Sequence, residues 1–278
     1  MKAKFYVALL LIVSQKILAQ VPEEAIRLSW TTQAGTARNQ AIGGAMGSLG
    51  GDATAALVNP AGLAFFKTSD FIFTPSYRFG KDRSSFRGTD YTGINNSKAG
   101  FGTSGFVFGG FGYKARNSFA ITVTKTADFN QWQKYNGQNN YSSFAEPLAD
   151  EFSASGLTID EALNSPDVSL TTKMALWTYL VDTATINGNT QVIARSEFPS
   201  QLNQEHTTET SGGITEITFA MGHELNKKFM IGGTIGIPIV KLVRSTYYRE
   251  SDGSGDTDND FNFMAYQENY ELKGAGMN

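Results

Sequence analysis

From Ser69 onward, apolar and polar residues alternate with a period of two, the mark of strands with one apolar face. Phe71, Phe73, Pro75, Tyr77 and Phe79 alternate with Ile72, Thr74, Ser76 and Arg78. Residues 100–113 read as a Gly/Phe-rich strand with Phe at both parities. A short turn, Lys114-Ala115-Arg116-Asn117, leads to Phe119, Ile121 and Val123, set against Ala120, Thr122 and Thr124. Alternation returns with Ile217, Phe219, Met221 and Leu225, opposite Glu216, Thr218, Ala220 and Glu224. It continues past Asn226-Lys227-Lys228 through Phe229, Ile231, Ile235, Ile237 and Ile239. A final strand sets Met264, Tyr266, Tyr270 and Leu272 against Ala265, Gln267, Asn269 and Glu271. Residues 128–208 lack strand periodicity and predict two helices, about 144–154 and 172–182.

The connections have their own rhythm: long at 80–99, short at 114–117, long at 128–210, short at 225–228, long at 250–261. That rhythm predicts an all-β protein of one kind, an antiparallel transmembrane β-barrel with short turns at one rim and long loops at the other. A strand between lipid and water needs apolar-out, polar-in patterning and a fully paired backbone. Aromatic residues near strand ends (Phe71, Phe79, Tyr113, Phe229, Tyr247, Tyr248, Phe261) suit interfacial girdles. A secreted β-sandwich also alternates, but offers no reason for the long-short rhythm. About six strands follow Ser69, and bacterial single-chain barrels have at least eight. Residues 69–278 are therefore expected to be the first, incomplete part of a barrel, with one long outer loop at about 128–210.

The N-terminus reads as an address. Lys2 and Lys4 precede an apolar run, Phe5 to Val13, and a more polar stretch ending in Ala19. This order predicts a signal peptide over residues 1–20, hence export and, with the strands, a bacterial outer-membrane location. Residues 21–68 differ from the alternating region. Ala34 to Ala64 is crowded with Ala and Gly, has a single acid (Asp52), and suits short helical pieces, since Pro60 bars a continuous helix.

Composition narrows the function. The 278 residues contain no Cys and two His, which excludes disulfide scaffolds, Cys-based zinc sites and thiol nucleophiles. A net charge of -3 argues against a nucleic-acid partner. The mean hydropathy of -0.24 excludes a polytopic helical membrane protein. No cofactor or metal is expected.

The stretches Ala37-Arg38-Asn39-Gln40-Ala41-Ile42-Gly43-Gly44-Ala45-Met46-Gly47 and Gly51-Asp52-Ala53-Thr54-Ala55-Ala56-Leu57-Val58-Asn59-Pro60-Ala61-Gly62-Leu63-Ala64 carry a family resemblance. They resemble the N-terminal region of the FadL/TodX outer-membrane transport family, which places a Gly-rich run and an Asn-Pro-Ala-Gly motif just before the first strand. The motifs cover residues 1 to about 80. The resemblance implies an N-terminal plug over residues 21–68, with Gly43, Gly44, Gly47, Asp52, Asn59, Pro60, Ala61 and Gly62 as plug or gating residues. It implies passive uptake of hydrophobic small molecules such as long-chain fatty acids, caught at the outer loops and released sideways into outer-membrane lipid. Assembly would need the barrel-assembly machinery. The alternatives are a non-transport, adhesin-like surface barrel that binds partners through its loops, and a general porin.

Other motifs point less far. The Gly-rich run 43–51 lacks the Gly-Lys-Ser/Thr of a phosphate loop and no strand precedes it. Asp52 is placed to cap the helix after it. Asp256-x-Asp258-x-Asp260 copies the opening of a calcium loop. However, Phe261 stands where Gly is needed and Gln267 where a bidentate Glu is needed, so a solvated loop containing Asp252 is expected. His206 is assigned to the long loop and His223 to a strand end. No Gly-x-Ser-x-Gly elbow accompanies them, so no enzyme is expected. Pro238, beside Gly232, Gly233 and Gly236, predicts a bulge and a candidate wall kink. The helix bearing Met174, Leu176, Trp177, Tyr179, Leu180 and Val181 is expected to pack on its neighbour at 144–154; the alternative, compatible with it, is an apolar mouth where a fatty ligand docks.

Overall fold

A computed structural model describes residues 22–32 and 34–278; the expected signal peptide, residues 1–20, lies outside the described residues. About half of the chain is strand, paired antiparallel, so the protein is all-β with a short-helical N-terminal segment. No described helix is long and apolar enough to cross a membrane.

That segment runs through α1 (Pro22–Ser29), α2 (Ala37–Ala41), α3 (Met46–Leu49) and α4 (Ala55–Val58) to a 3₁₀ turn, Pro60–Phe65. Pro60 opens the turn, where its missing N–H costs nothing. Strands β1 (Asp70–Ile72), β2 (Pro75–Arg78), β3 (Lys81–Phe86), β4 (Thr89–Asn95), β5 (Lys98–Phe101) and β6 (Ser104–Phe111) follow. Then come β7 (Asn117–Asp128), β8 (Gln131–Asn139) and three helices, α5 (Glu146–Ser155), α6 (Ile159–Asn164) and α7 (Leu170–Trp177). The hairpin β9 (Val181–Ile186) and β10 (Asn189–Ala194) precedes β11 (Leu202–Asn226), β12 (Phe229–Asp252) and β13 (Phe263–Ala275).

The main sheet has the order β1-β6-β7-β11-β12-β13, with β8 also pairing β11. β11 is the spine. Its C-terminal half pairs β7 and its N-terminal half pairs β8, so β7 and β8 lie end to end along one side, while β12 runs the full length of the other. β1 and β13, at the two ends of the order, do not pair with each other among the described residues.

The short turns meet at one end. Glu224 N–H donates to Arg116 O at 2.9 Å, joining the β6–β7 and β11–β12 turns. The long connections gather at the other end, where Gly253 N–H donates to Gln201 O at 2.8 Å. There α5 to α7 and the β9–β10 hairpin form a module with its own core: Ala145, Phe152, Ala162, Val168, Ala175, Leu176, Val181 and Ala194.

Four expectations about the elements need correction. The long loop of 128–210 is in fact β8, the helical module, a hairpin and the start of β11. The helix expected at 172–182 ends at Trp177, because Tyr179 has φ 59° and the chain turns into β9. The strands expected at 71–79 and 100–113 each break in two, at Thr74 and Gly102, where Gly35 O accepts from Thr103 N–H at 3.0 Å. Pro238 causes no bulge: β11 and β12 stay in register through Glu216↔Pro238. Its carbonyl accepts from Gly276 N–H at 3.0 Å, so its backbone polar edge faces the end of β13 and the ladder to β11 needs no donor from it.

Candidate functional site

The sheet has two unlike faces. On one, Phe71, Phe106, Ile121, Phe219 and Ile235 form a row across five strands, each paired with the next. All are exposed, from 36% (Ile121) to 61% (Phe71). The other face carries small and hydroxyl residues, Ser118, Ala120, Thr122 and Thr124 on β7 and Thr218, Ala220 and Gly222 on β11, all buried beneath the N-terminal segment.

That segment is folded around Asp52. The buried Asp52 carboxylate accepts from Thr36 Oγ1 at 2.8 and 3.0 Å and from Thr54 N–H at 2.8 Å. Thr54 Oγ1 in turn accepts from Thr36 N–H at 2.9 Å. The expected helix cap is therefore a clasp: Asp52 bonds Thr54, the N-cap of α4, and ties it to Thr36 at the start of α2. Asn59 holds the motif turn. Its Nδ2 donates to Gly47 O at 2.8 Å, its carbonyl accepts from Gly62 N–H at 2.8 Å, and Gly62 O accepts from Gly51 N–H at 3.0 Å. Gly43 and Gly44 turn the chain between α2 and α3; a Cβ on Gly43 would meet nothing within 4 Å, so Gly43 does not pack against the sheet.

The Asn-Pro-Ala-Gly turn sits on a seam of glycines. Gly222 and Gly232 are cross-strand partners. A Cβ on Gly222 would stand 2.8 Å from Ala64 N and 2.9 Å from Pro60 O, and one on Gly232 would run into the Pro60–Ala61 peptide. Thr234 Oγ1 donates to Ala56 O at 2.7 Å, and Lys67 pairs with Glu224 at 2.5 Å. Ala53, Ala55, Ala56 and Leu63 pack with Val107, Ala120 and Ala220 as one core. Thr122 and Thr218, cross-strand partners under this segment, have buried hydroxyls with no hydrogen-bond partner.

Two clefts lie toward the loop end. One, of about 580 Å³, is lined by Ile26, Trp30 and Phe129 with Arg27, Arg78 and Lys81 and the carboxylates Asp82 and Asp128, the latter paired with Arg78 at 3.4 Å. α1 is fixed beside it, as Leu28 packs on Ala127, Phe129, Ile214 and Leu242, and Thr32 N–H donates to Thr126 O at 2.9 Å. The other, of about 420 Å³, runs between the helical module and β13 and is lined by Phe144, Met174, Tyr179, Leu180, Phe261 and Tyr266. The helix expected to pack on its neighbour does so: Leu176 is core, while Met174 lines the cleft.

A polar and aromatic network ties the module to the sheet. The wholly buried Glu250 accepts through Oε1 from Tyr248 Oη, Gln204 Nε2 and Phe144 N–H at 2.7, 2.7 and 2.8 Å, while Oε2 has no partner. Burial pushes its carboxyl above the usual carboxylate range, although the three bonds pull it down. His206 lies in β11, not in a loop, with its ring 4.8 Å from Tyr135 and 5.9 Å from Tyr248. Burial lowers its pKa. Tyr248, expected in an interfacial girdle, instead faces inward against Phe144. His223 lies on the apolar face and bonds Asn117 Oδ1 at 2.7 Å. The acidic loop is closed on itself, Asp252 accepting from Ser254 and Asn259 and Asp256 from Asp258 N–H. Among the described residues no three His, Asp or Glu side chains stand close enough to hold a metal ion on their own.

In comparisons with known proteins, the chain matches no family model, no curated protein and no solved structure.

Proposed function

We propose that the sheet is wall of an antiparallel outer-membrane β-barrel, that residues 34–66 are its plug, and that the protein carries hydrophobic compounds such as long-chain fatty acids inward. The observation that carries this reading is the contrast between the two faces. A continuous row of exposed Phe and Ile is costly in water and favourable against lipid. The opposite face is covered by a segment whose Ala, Gly and Thr contacts allow close seating without an extensive apolar core.

Strand length supports it. β11 has 25 residues and β12 has 24, roughly twice the 9–11 residues or so that span a bilayer. The halves near Asn226 carry the apolar row. The halves near Leu202 project beyond the lipid, where β8 and β13 pair them and the helical module covers them. Gly212 and Gly213, with φ 115° and 158°, mark the change.

Both clefts suit an amphipathic ligand. The apolar cleft under the helical module would accept a chain first, and the cleft at α1 combines Trp30 and Phe129 with Lys81 and Arg27 for an acid headgroup, beside Arg78, which already pairs with Asp128 at 3.4 Å. Resemblance to the FadL/TodX motifs points the same way. The test is a titration of the full chain, folded in detergent, with brominated oleate. Bromine should quench Trp30 saturably, and W30F should remove much of the quench. Absence of saturable quenching in the folded protein would count against ligand binding at this cleft.

A further inference from the structure

The short-turn end of the sheet carries a cluster of cations at the edge of the apolar face. The last row of that face before the turns is Phe111, Asn117, His223 and Ile231, each paired with the next. There the face changes character. Asn117 and His223 bond each other at 2.7 Å, while the rings of Phe111, Phe229 and Tyr113 stay exposed, Tyr113 by 80%. Beside them stand Lys114, Arg116, Lys227 and Lys228, on the two turns that the Glu224–Arg116 backbone bond joins. Arg116 Nη1 donates to Leu225 O at 3.2 Å between those turns, and Lys114 lies over the Tyr113 ring at 5.2 Å. None of the four cations forms an ion pair among the described residues. Of the acids at this end, Glu224 is held by Lys67 at 2.5 Å, and Asp70 stands farther along the sheet, opposite Val107.

Composition does not dictate this cluster. The chain has a net charge of -3, and the opposite end is acidic, with Asp252, Asp256, Asp258 and Asp260 in one connection. Gathered cations repel one another unless anions meet them. Exposed rings beside lysines match a bilayer surface, where rings sit at the headgroup level and cations at the phosphates. We infer that the short-turn rim binds anionic phospholipid. Lys114, Arg116, Lys227 and Lys228 meet the headgroup phosphates, and Phe111, Tyr113 and Phe229 lie at the boundary with the acyl chains. The inference rests on the membrane reading of the sheet, and adds which lipid class is preferred and which end of the molecule selects it. A free phosphate would meet the same cations but gain nothing from the rings, so lipid is the occupant that fits both.

A tryptophan placed at the rim reports on it directly, because Trp30, Trp132 and Trp177 all lie away from the short turns. The full chain carrying F229W is folded into vesicles of equal phosphatidylglycerol and phosphatidylcholine, with bromine near the headgroup of one lipid or of the other. The quenching added over wild type should favour brominated phosphatidylglycerol by about threefold or more at low salt, and the preference should shrink in high salt. K114Q/K227Q/K228Q, in the F229W background, should bring it close to parity. These three lysines are exposed, so the variant is expected to fold, which the heat-modifiable band checks; Arg116 is kept because it bridges the turns. F219W, in the middle of the apolar row, should be quenched equally by both lipids. Equal quenching of F229W by the two lipids, or a preference unchanged in the folded lysine variant, would overturn the inference and leave the membrane reading standing. No quenching of either F229W or F219W would remove the membrane reading, and this inference with it.

Discussion

Gly222 and Gly232 face one another across the β11–β12 ladder, and the Pro60–Ala61 peptide occupies the space where both side chains would stand. The atoms in the way are backbone, which cannot turn aside as a side chain can. Replacing Gly232 with Val should therefore unseat the turn or force the strands apart, at about 1–3 kcal/mol for overpacking. If residues 34–66 plug a lumen, liposomes carrying G232V should swell in small polar sugars faster than those carrying wild type. Equal swelling with unchanged stability would mean that the seam does not hold the plug.

Asp52 is the internal clasp of the same segment. Asp52→Ala would leave the Thr36 hydroxyl proton and Thr54 N–H without an acceptor in a buried site, about 1–3 kcal/mol for each donor left unpaired, while Thr36 Oγ1 keeps its bond from Asn39 N–H. The loss should be local. Hydrogen exchange is expected to speed up across residues 34–66 while β11 and β12 keep their protection. Asp52→Asn, which keeps an acceptor, should have the smaller effect.

Much of the fold is readable in the chain, and the limits have physical causes. The strands of the apolar row are legible because each has one face against small residues and one exposed, so Phe119-Ile121-Val123 and Phe229-Ile231-Ile235 alternate cleanly. β8 and the first half of β11 escape a reading by pattern because Gln131–Asn139 and Leu202–Gly212 are mostly polar on both faces and show no period of two. β13 does alternate, but Tyr266 and Leu272 turn inward, opposite Tyr248 and Leu242, not outward with the Ile row. Two local signals do mark this region. Asn187-Gly188, both at positive φ, makes the β9–β10 turn, and Thr158 with Glu161 forms the capping box of α6. The Asn-Pro-Ala-Gly turn is legible as a motif. Its glycine seat is not, since Gly222 and Gly232 meet only once the hairpin is paired.

The buried Glu250 gives a pH dependence with a definite sign. Its folded-state pKa lies above the ordinary 4.5, chiefly through burial. Its contribution to stability is thus full below about pH 4.5 and is lost as pH rises through the folded value. His206, lowered by burial, runs the other way: its contribution is full above about 6.5 and is lost as pH falls toward its folded value. Comparing wild type with E250Q separates them, because His206 is common to both. Denaturant unfolding between pH 4 and 8 should find E250Q gaining on wild type as pH rises. A difference independent of pH would mean that Glu250 titrates as an exposed carboxyl does.

The exposed row sets a test of the membrane reading. Phe219 sits in its middle, between Ile121 and Ile235. F219R should cost about 2–4 kcal/mol on insertion if that face meets lipid at mid-depth. The heat-modifiable folded band on gels should weaken in vesicles. In a soluble sheet the same change, at an exposed site, would be nearly neutral.

Uptake tests the central claim most directly. The full chain, reconstituted into liposomes that enclose a fatty-acid-binding fluorophore, should admit oleate saturably and faster than protein-free liposomes, with no nucleotide present. W30F should slow the uptake, and polar sugars of similar size should stay outside. Oleate uptake no faster than in empty liposomes, with the protein folded and inserted, would contradict the account.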